Sequence, residues 1–291
     1  YVYENGIKVL KEWGLEVVEY PTARMDASFL RENPQVRAKD INDAFANPEI
    51  KAIFASIGGD DSVRILPFLD KKIIAENPKV LMGYSDTSTL HVFANLQGLI
   101  TFYGPSIMAG FSQMESLPET FKSHVREILF DLKDSYEYKA YGTYCDGYPD
   151  WSNKDNLGKT NPMKSDDGWH WLQGNSTVQG ELFGGCIEVL EMMKATDFWP
   201  SKDFWKGKIF FLETSEEKPS IHYIDHVLRN YGMLGVFDQI SGFIFSRARD
   251  YSDEEKKELE DKIVSIVAKE FGKPNLPIIA NFDVGPTDPQ L

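Results

Sequence analysis

The chain has 291 residues, 42% of them hydrophobic and 13% aromatic, enough to bury one large or two ordinary cores. With 31 basic against 45 acidic side chains its formal charge is −14, which repels nucleic acid and anionic membrane over most of the surface. No run approaches the ~20 apolar residues of a membrane span, and no secretory leader opens the sequence. The two cysteines, Cys145 and Cys186, make neither a disulfide framework nor a metal-ligand spacing, so a reducing cytoplasm is the expected location.

Ile7, Leu10 and Trp13 recur at helical spacing over Glu4–Trp13, Gly14 stops them, and Leu15–Tyr20 is a β-rich run. Val36–Phe45 reads as helix, Lys51–Ile57 as a buried strand running into Gly58-Gly59-Asp60-Asp61, and Ser62–Leu69 as helix again. Val80-Leu81-Met82 is a short strand, the pattern from Ser85 to Gln97 is helical, and Leu99–Tyr103 is a further strand closing on Gly104-Pro105. Helix and strand alternate through short links, which predicts a doubly wound α/β unit with a parallel sheet. Between Gly142 and Gly174 the pattern is lost, although Trp151, Trp169 and Trp171 lie there; a loop this long is expected to be functional. Beyond it, Val178–Phe183, Lys208–Glu213, Ile240–Phe245 and Pro277–Phe282 read as strands. Gly184–Lys194, Ser220–Tyr231 and Asp253–Phe271 read as helices. The expected organisation is an N-terminal α/β domain over 1–141, a substrate loop over 142–174 and a smaller C-terminal α/β domain over 175–291.

Ser85 sits where a strand stops and a helix starts. A sharp turn there lifts the side chain off the sheet and aims free helical N–H groups at whatever it attacks, so Ser85 is a candidate nucleophile and the N–H of Asp86 half of an oxyanion hole. A serine in that place also serves as an ordinary helix cap. Gly58-Gly59 lies at the carboxyl end of another strand, where ligands bind in such sheets. It has neither the Walker lysine nor G-x-G-x-x-G spacing, and Asp60 and Asp61 repel an anion, so it is read as a second oxyanion donor rather than a phosphate cradle. A tight turn without function is the competing reading.

Seven segments in order resemble the LD-carboxypeptidase family of serine peptidases, which includes the microcin C self-immunity peptidases. They are IGGDDS at Ile57–Ser62, GYSDTSTLH at Gly83–His91, TFYGP at Thr101–Pro105, WLQG at Trp171–Gly174, GELFGG at Gly180–Gly185, FLE at Phe211–Glu213 and NFDVGPTDP at Asn281–Pro289. The resemblance implies a glutamine-amidotransferase-like N-terminal fold and a Ser–His–Glu triad that cuts amide bonds without metal or cofactor. It places the nucleophile at Ser85, the triad acid at Glu213 and the oxyanion donors at the N–H groups of Asp86 and Gly59, with Gly58 and Trp151 in substrate binding. Trp151 matches the residue that stacks on a nucleobase in the microcin-type members.

The family histidine falls in a G-H-T turn, and here those positions read Gly285-Pro286-Thr287. Proline cannot take the serine proton. His170 and His222 are the two candidate substitutes, ahead of His91, His124 and His226. The resemblance implies small peptide or aminoacyl-nucleotide substrates, with murein peptides as the alternative. It also implies a homodimer, an opening strand before Tyr1 and a further segment after Leu291. A binding protein that keeps the cleft without chemistry is the reading from another class. An amidotransferase is disfavoured because no cysteine occupies the elbow.

Overall fold

Three short parallel strands carry the N-terminal part of the fold. The computed structural model describes residues 1–131 and 134–290; residues 132, 133 and 291, inside the expected spans 1–141 and 175–291, lie outside the described residues. The chain divides into two compact units, the first made of Tyr1–Ser116, Pro149–Lys159 and Met192–Trp199, the second of Leu117–Tyr148, Thr160–Glu191 and Pro200–Leu291.

In the first unit α1 (Val2–Glu12), α2 (Ala27–Glu32) and α3 (Pro34–Ala46) precede β1 (Ala52–Phe54). A 3₁₀ segment over Ser62–Phe68 and α4 (Lys71–Glu76) lead to β2 (Val80–Gly83). A 3₁₀ turn over Ser85–Thr87 opens α5 (Ser88–Leu96), and β3 (Phe102–Tyr103) follows. β2 lies between β1 and β3 and is parallel to both, with Phe54 opposite Met82 and Gly83 opposite Tyr103. That register brings the Gly58-Gly59 turn and Ser85 to the same end of adjacent strands. Leu15–Tyr20, expected as a strand, forms none; Val18 is 55% exposed, and its backbone meets no neighbouring strand among the described residues. Ser62–Leu69, expected as an α-helix, winds instead as 3₁₀ over Ser62–Phe68, with Pro67 inside it.

In the second unit α6 (Glu119–Phe130), β4 (Thr143–Asp146), β5 (Lys164–Ser165) and β6 (His170–Gln173) come first. β7 (Leu182–Cys186), α7 (Ile187–Met193), β8 (Ile209–Glu213), α8 (Ile221–Met233) and β9 (Gly242–Ser246) follow. α9 (Asp253–Val264), a π-helical turn over Ser265–Glu270, β10 (Ile278–Phe282) and β11 (Thr287–Asp288) complete it. The main sheet has five strands in the order β6-β10-β9-β8-β7, all neighbours parallel except β6 against β10. A smaller antiparallel sheet joins β11, β4 and β5. Phe210, Leu212, Phe243, Phe245, Ile224, Leu228 and Tyr231 are all buried. Each apolar side chain so covered stabilises the fold by roughly 1.5–3 kcal/mol.

Two further expectations need correction. The stretch 142–174 is not one irregular loop: it holds β4, β5 and β6, and its Pro149–Lys159 portion belongs to the first unit. Polar, turn-rich composition concealed strands too short to show a period. The strand expected over Val178–Phe183 runs instead from Leu182 to Cys186, taking in Gly184 and Gly185, which the sequence pattern places in the next helix. A Cβ on Gly184 would lie 1.8 Å from the Phe211 carbonyl oxygen, so only glycine lets β7 lie this close to β8.

Candidate functional site

Leu81 and Met82 of β2 are buried, and the chain reverses into α5 through Ser85, whose φ of 57° lies in the left-handed region. A non-glycine residue held there costs about 1–3 kcal/mol and persists only where its surroundings over-determine it. They do so here. The Ser85 N–H donates to the Tyr103 hydroxyl at 2.8 Å, and the Ser88 hydroxyl donates to the Ser85 carbonyl at 2.6 Å. Gly83, just before the turn, has no room for a side chain: a Cβ would meet Ala55 Cβ at 2.7 Å and Thr87 Oγ1 at 2.8 Å. A Cβ on Gly58 would lie 3.2 Å from Ser85 Oγ, and one on Gly59 would lie 3.0 Å from Asp86 Oδ2. Ser85, Asp86, Gly58 and Gly59 are therefore one contiguous group.

The Asp86 carboxylate is buried and accepts from the backbone N–H of Asp61 and Ser62 and from the Ser62 hydroxyl. Burial pushes its pKa up, and these donors pull it back. His91, inside α5, holds its Nε2 at 2.8 Å from the Gly83 carbonyl oxygen, so that nitrogen carries the proton. Burial drives its pKa down to about 4 against the bond to Gly83, which keeps the ring neutral near pH 7.

Trp151 is half-buried in the first unit, on a segment tied to Tyr1 and Ser116. The Tyr1 hydroxyl donates to the Ser152 carbonyl at 2.6 Å, and the Ser116 hydroxyl donates to the Gly158 carbonyl at 2.7 Å.

Glu213 ends β8 in the second unit and is fully buried. Its neighbour is the turn that carries Pro286. Gly285 has a φ of 103°, and a Cβ there would lie 2.8 Å from Glu213 Oε2. Position 286 thus borders the carboxylate through its preceding residue, and Pro286 is itself buried. Sequence reasoning missed the group that holds this turn. Arg247, with no exposed surface, pairs with Asp283 at 2.6 Å and Asp166 at 2.7 Å, and reaches Thr287 Oγ1 at 3.2 Å. Its guanidinium also lies 4.6 Å from the centre of the Tyr144 ring. Trp169 donates from Nε1 to Asp283 Oδ2 at 2.9 Å and stacks on Phe282. Asn281, at a φ of 53°, donates to Asp166 Oδ1 and to the Gly168 carbonyl. These residues come from distant parts of the chain, Asp166, Arg247 and Asp283, so no local sequence signal could have found the group.

The candidate substitute histidines are placed as follows. His170 spends both ring nitrogens on carboxylates, Glu260 at 2.6 Å and Asp167 at 3.0 Å. Those partners raise its pKa although its partial burial works the other way. It therefore has no free nitrogen for a serine proton. His222 and His226 are exposed on α8 with their rings 4.1 Å apart, and His124 is buried beside Tyr141. Both cysteines are buried free thiols.

Residues 2–104 match the model of the LD-carboxypeptidase N-terminal domain and residues 179–291 that of its C-terminal domain. The chain belongs to the LD-carboxypeptidase family. The microcin C7 self-immunity protein MccF of Escherichia coli is 28% identical over 99% of this chain and 81% of its own length. A solved structure of MccF in complex with glutamyl sulfamoyl guanosine matches with a TM-score of 0.83 at 26% identity, covering 100% of this chain and 84% of that one. An MccF-like protein from Streptococcus pneumoniae, solved in complex with AMP, matches with a TM-score of 0.87 at 27% identity over 99% of this chain and 87% of that one. The probable murein peptide carboxypeptidase of Bacillus subtilis is 24% identical over 99% of this chain and 80% of its own length. Family members thus share this two-domain α/β fold, and peptidase activity is the family's common chemistry. Among the described residues no helix is long and apolar enough to cross a membrane.

Proposed function

We propose that this chain is a serine carboxypeptidase-like hydrolase of amide bonds whose preferred substrates are aminoacyl-nucleotides, with activity limited by Pro286. The observation that carries the reading is the strained turn at Ser85, φ 57°, with Gly58 packed against its hydroxyl. Strain of this kind clusters at working sites, where the surroundings hold it.

In the proposed reaction Ser85 Oγ attacks the scissile carbonyl carbon. A C–O bond forms, and the carbonyl electron pair moves onto its oxygen, where the N–H groups of Asp86 and Gly59 receive the charge. Collapse expels the amine, which must gain a proton, and water then cleaves the acyl-serine. Both proton transfers need a base that Glu213 orients, and Pro286 has no titratable group to be that base. In subtilisin, loss of the triad histidine costs ~10⁶ in kcat, about 8 kcal/mol of transition-state stabilisation. The turnover expected of this chain is correspondingly small.

The complexes of the relatives with AMP and with glutamyl sulfamoyl guanosine support the nucleotide preference. Trp151 is the residue assigned to stack on the base, an interaction worth ~1–3 kcal/mol. The murein-type relative supports the alternative of a peptide substrate. Replacing Pro286→His is expected to create hydrolysis of glutamyl sulfamoyl adenosine, and Ser85→Ala in that background to abolish it. Absence of any gain in the Pro286→His chain would remove the catalytic assignment. Pro286 itself favours a second reading, a binding protein that sequesters such compounds. Calorimetric titration of the unaltered chain with an aminoacyl sulfamoyl adenosine separates the two, because tight binding without turnover supports sequestration. Homodimeric assembly and a cytoplasmic location accompany the proposal, the first open to light scattering on the purified chain.

A further inference from the structure

The Asp86 side chain joins the two segments that carry the proposed oxyanion donors. Its Oδ2 accepts from Ser62 N at 3.0 Å and from Asp61 N at 3.2 Å, and its Oδ1 accepts from the Ser62 hydroxyl at 2.7 Å. Ser62 Oγ also lies 2.7 Å from the Asp86 carbonyl oxygen and 2.6 Å from Thr89 Oγ1. Asp86, Ser62 and Thr89 are 5%, 6% and 0% exposed, so water does not compete for these bonds. On the outer side Arg37 pairs with Asp61 at 2.7 Å, and Arg64 approaches it at 3.4 Å. The turn Gly58-Gly59-Asp60 is therefore anchored at its far end to the residue that follows the nucleophile. A backbone N–H in a glycine turn has no side chain to hold it in place; its position depends on such an anchor.

We propose that the Asp86 carboxylate is a positioning residue that clamps the Gly58–Ser62 turn to the elbow and so sets the spacing between the Gly59 N–H and the Ser85 hydroxyl. The inference rests on the hydrolase reading for its catalytic consequence, and on geometry alone for the clamp. Its chemistry explains a carboxyl group at this place. Three donors converge on it, and alanine would leave the Asp61 and Ser62 N–H groups without their acceptor inside the protein, while the Ser62 hydroxyl keeps the Asp86 carbonyl oxygen. Asparagine can still accept both N–H groups through one oxygen while its NH₂ faces a Ser62 hydroxyl free to rotate.

Two measurements test it. In the unaltered chain and in Asp86→Ala, Asp86→Asn and Ser62→Ala, amide hydrogen exchange is followed at Asp61 and Ser62. Release of the clamp is expected to speed exchange at both amides by about tenfold or more in Asp86→Ala, with little change in Asp86→Asn. The same substitutions in the Pro286→His chain are assayed against glutamyl sulfamoyl adenosine. Asp86→Ala is expected to lower kcat by ~10²-fold with KM unchanged, as when one oxyanion donor is lost, and Asp86→Asn to restore most of it. Ser62→Ala, which keeps the two N–H bonds, should fall between them and serves if Asp86→Ala does not fold. Unchanged exchange, a loss confined to KM, or an Asp86→Asn chain as impaired as Asp86→Ala overturns the proposal. An inactive Pro286→His chain with the expected exchange pattern rejects the hydrolase reading and leaves the clamp standing.

Discussion

Gly58 lies so close to Ser85 that a methyl group on it would sit 3.1 Å from the serine Cβ and 3.2 Å from its Oγ. The contact is tighter than ordinary van der Waals packing, and Ser85 has little freedom to yield because its backbone is already in the left-handed region and tied to Tyr103 and Ser88. Gly58→Ala should therefore rotate the hydroxyl rather than unfold the unit. In a Pro286→His background the expected result is a fall in kcat of up to ~10²-fold, the scale of an ångström-sized misplacement, with the thermal midpoint nearly unchanged. Steady-state kinetics beside a melting curve measures both. Full activity in Gly58→Ala would show that the turn does not face the serine oxygen.

Arg247 is the largest side chain without exposed surface, and its two carboxylate partners, Asp166 and Asp283, are themselves 3% and 0% exposed at the side chain. Removing the cation leaves two buried charges uncompensated. Arg247→Met should cost about 3–5 kcal/mol, the usual penalty for breaking a buried pair from one side. Neutralising the partners as well, with Asp166→Asn and Asp283→Asn, should recover part of that loss. Urea unfolding of the single and triple variants tests the coupling. Additive losses would mean that the three groups do not act as one network.

The ends of β2 and β8 were legible in the sequence because apolar runs stop abruptly at Gly83 and Glu213, whereas β1 stops at Phe54, short of the Ile57 expected for it. Parallel strands buried on both faces leave that signature whatever covers them. The β-rich composition alone misled at Leu15–Tyr20, since a strand exists only where another backbone offers it hydrogen bonds. Gly184 and Gly185 looked like a helix start because the need for close approach to Phe211 is a tertiary fact. The same limit hid the turn support around Asp283. Asp166, Arg247 and Asp283 are 81 and 36 residues apart along the chain, and no local pattern announces their meeting. The elbow was readable as a position, and its strain was not.

Gly285 is another place where a side chain has no room. Its φ of 103° disfavours any L residue, and a Cβ would lie 2.8 Å from Glu213 Oε2 and 2.9 Å from Glu213 Cβ. Gly285→Ala should destabilise the second unit by about 1–3 kcal/mol from strain and overpacking together. It should also displace the Glu213 carboxyl. A crystal structure of the variant, with its urea midpoint, checks both effects. An unshifted Glu213 at full stability would contradict the packing described for this turn.

Three buried titratable groups give stability opposite dependences on pH. His91 and His124 have their pKa values lowered from 6.5 to about 4 by burial. As pH falls below 6.5 the unfolded chain takes up protons that the folded rings refuse, so stability present above pH 6.5 is lost progressively down to about 4. Asp288 is 2% exposed and is raised from 3.8 to about 6, chiefly by burial, with Gln290, Tyr148 and Arg249 opposing. There the folded state holds the proton more tightly, so its contribution is full below pH 3.8 and disappears as pH rises through 6. Each shift corresponds to roughly 3 kcal/mol at 1.36 kcal/mol per pKa unit. Asp288→Asn should therefore gain stability relative to the parent as pH is raised from 4 to 7, while His91→Gln should gain as pH is lowered over the same interval. Difference curves from urea unfolding at intervals of half a pH unit give the two slopes. Slopes of the same sign would show that one of these groups is solvated in the folded protein.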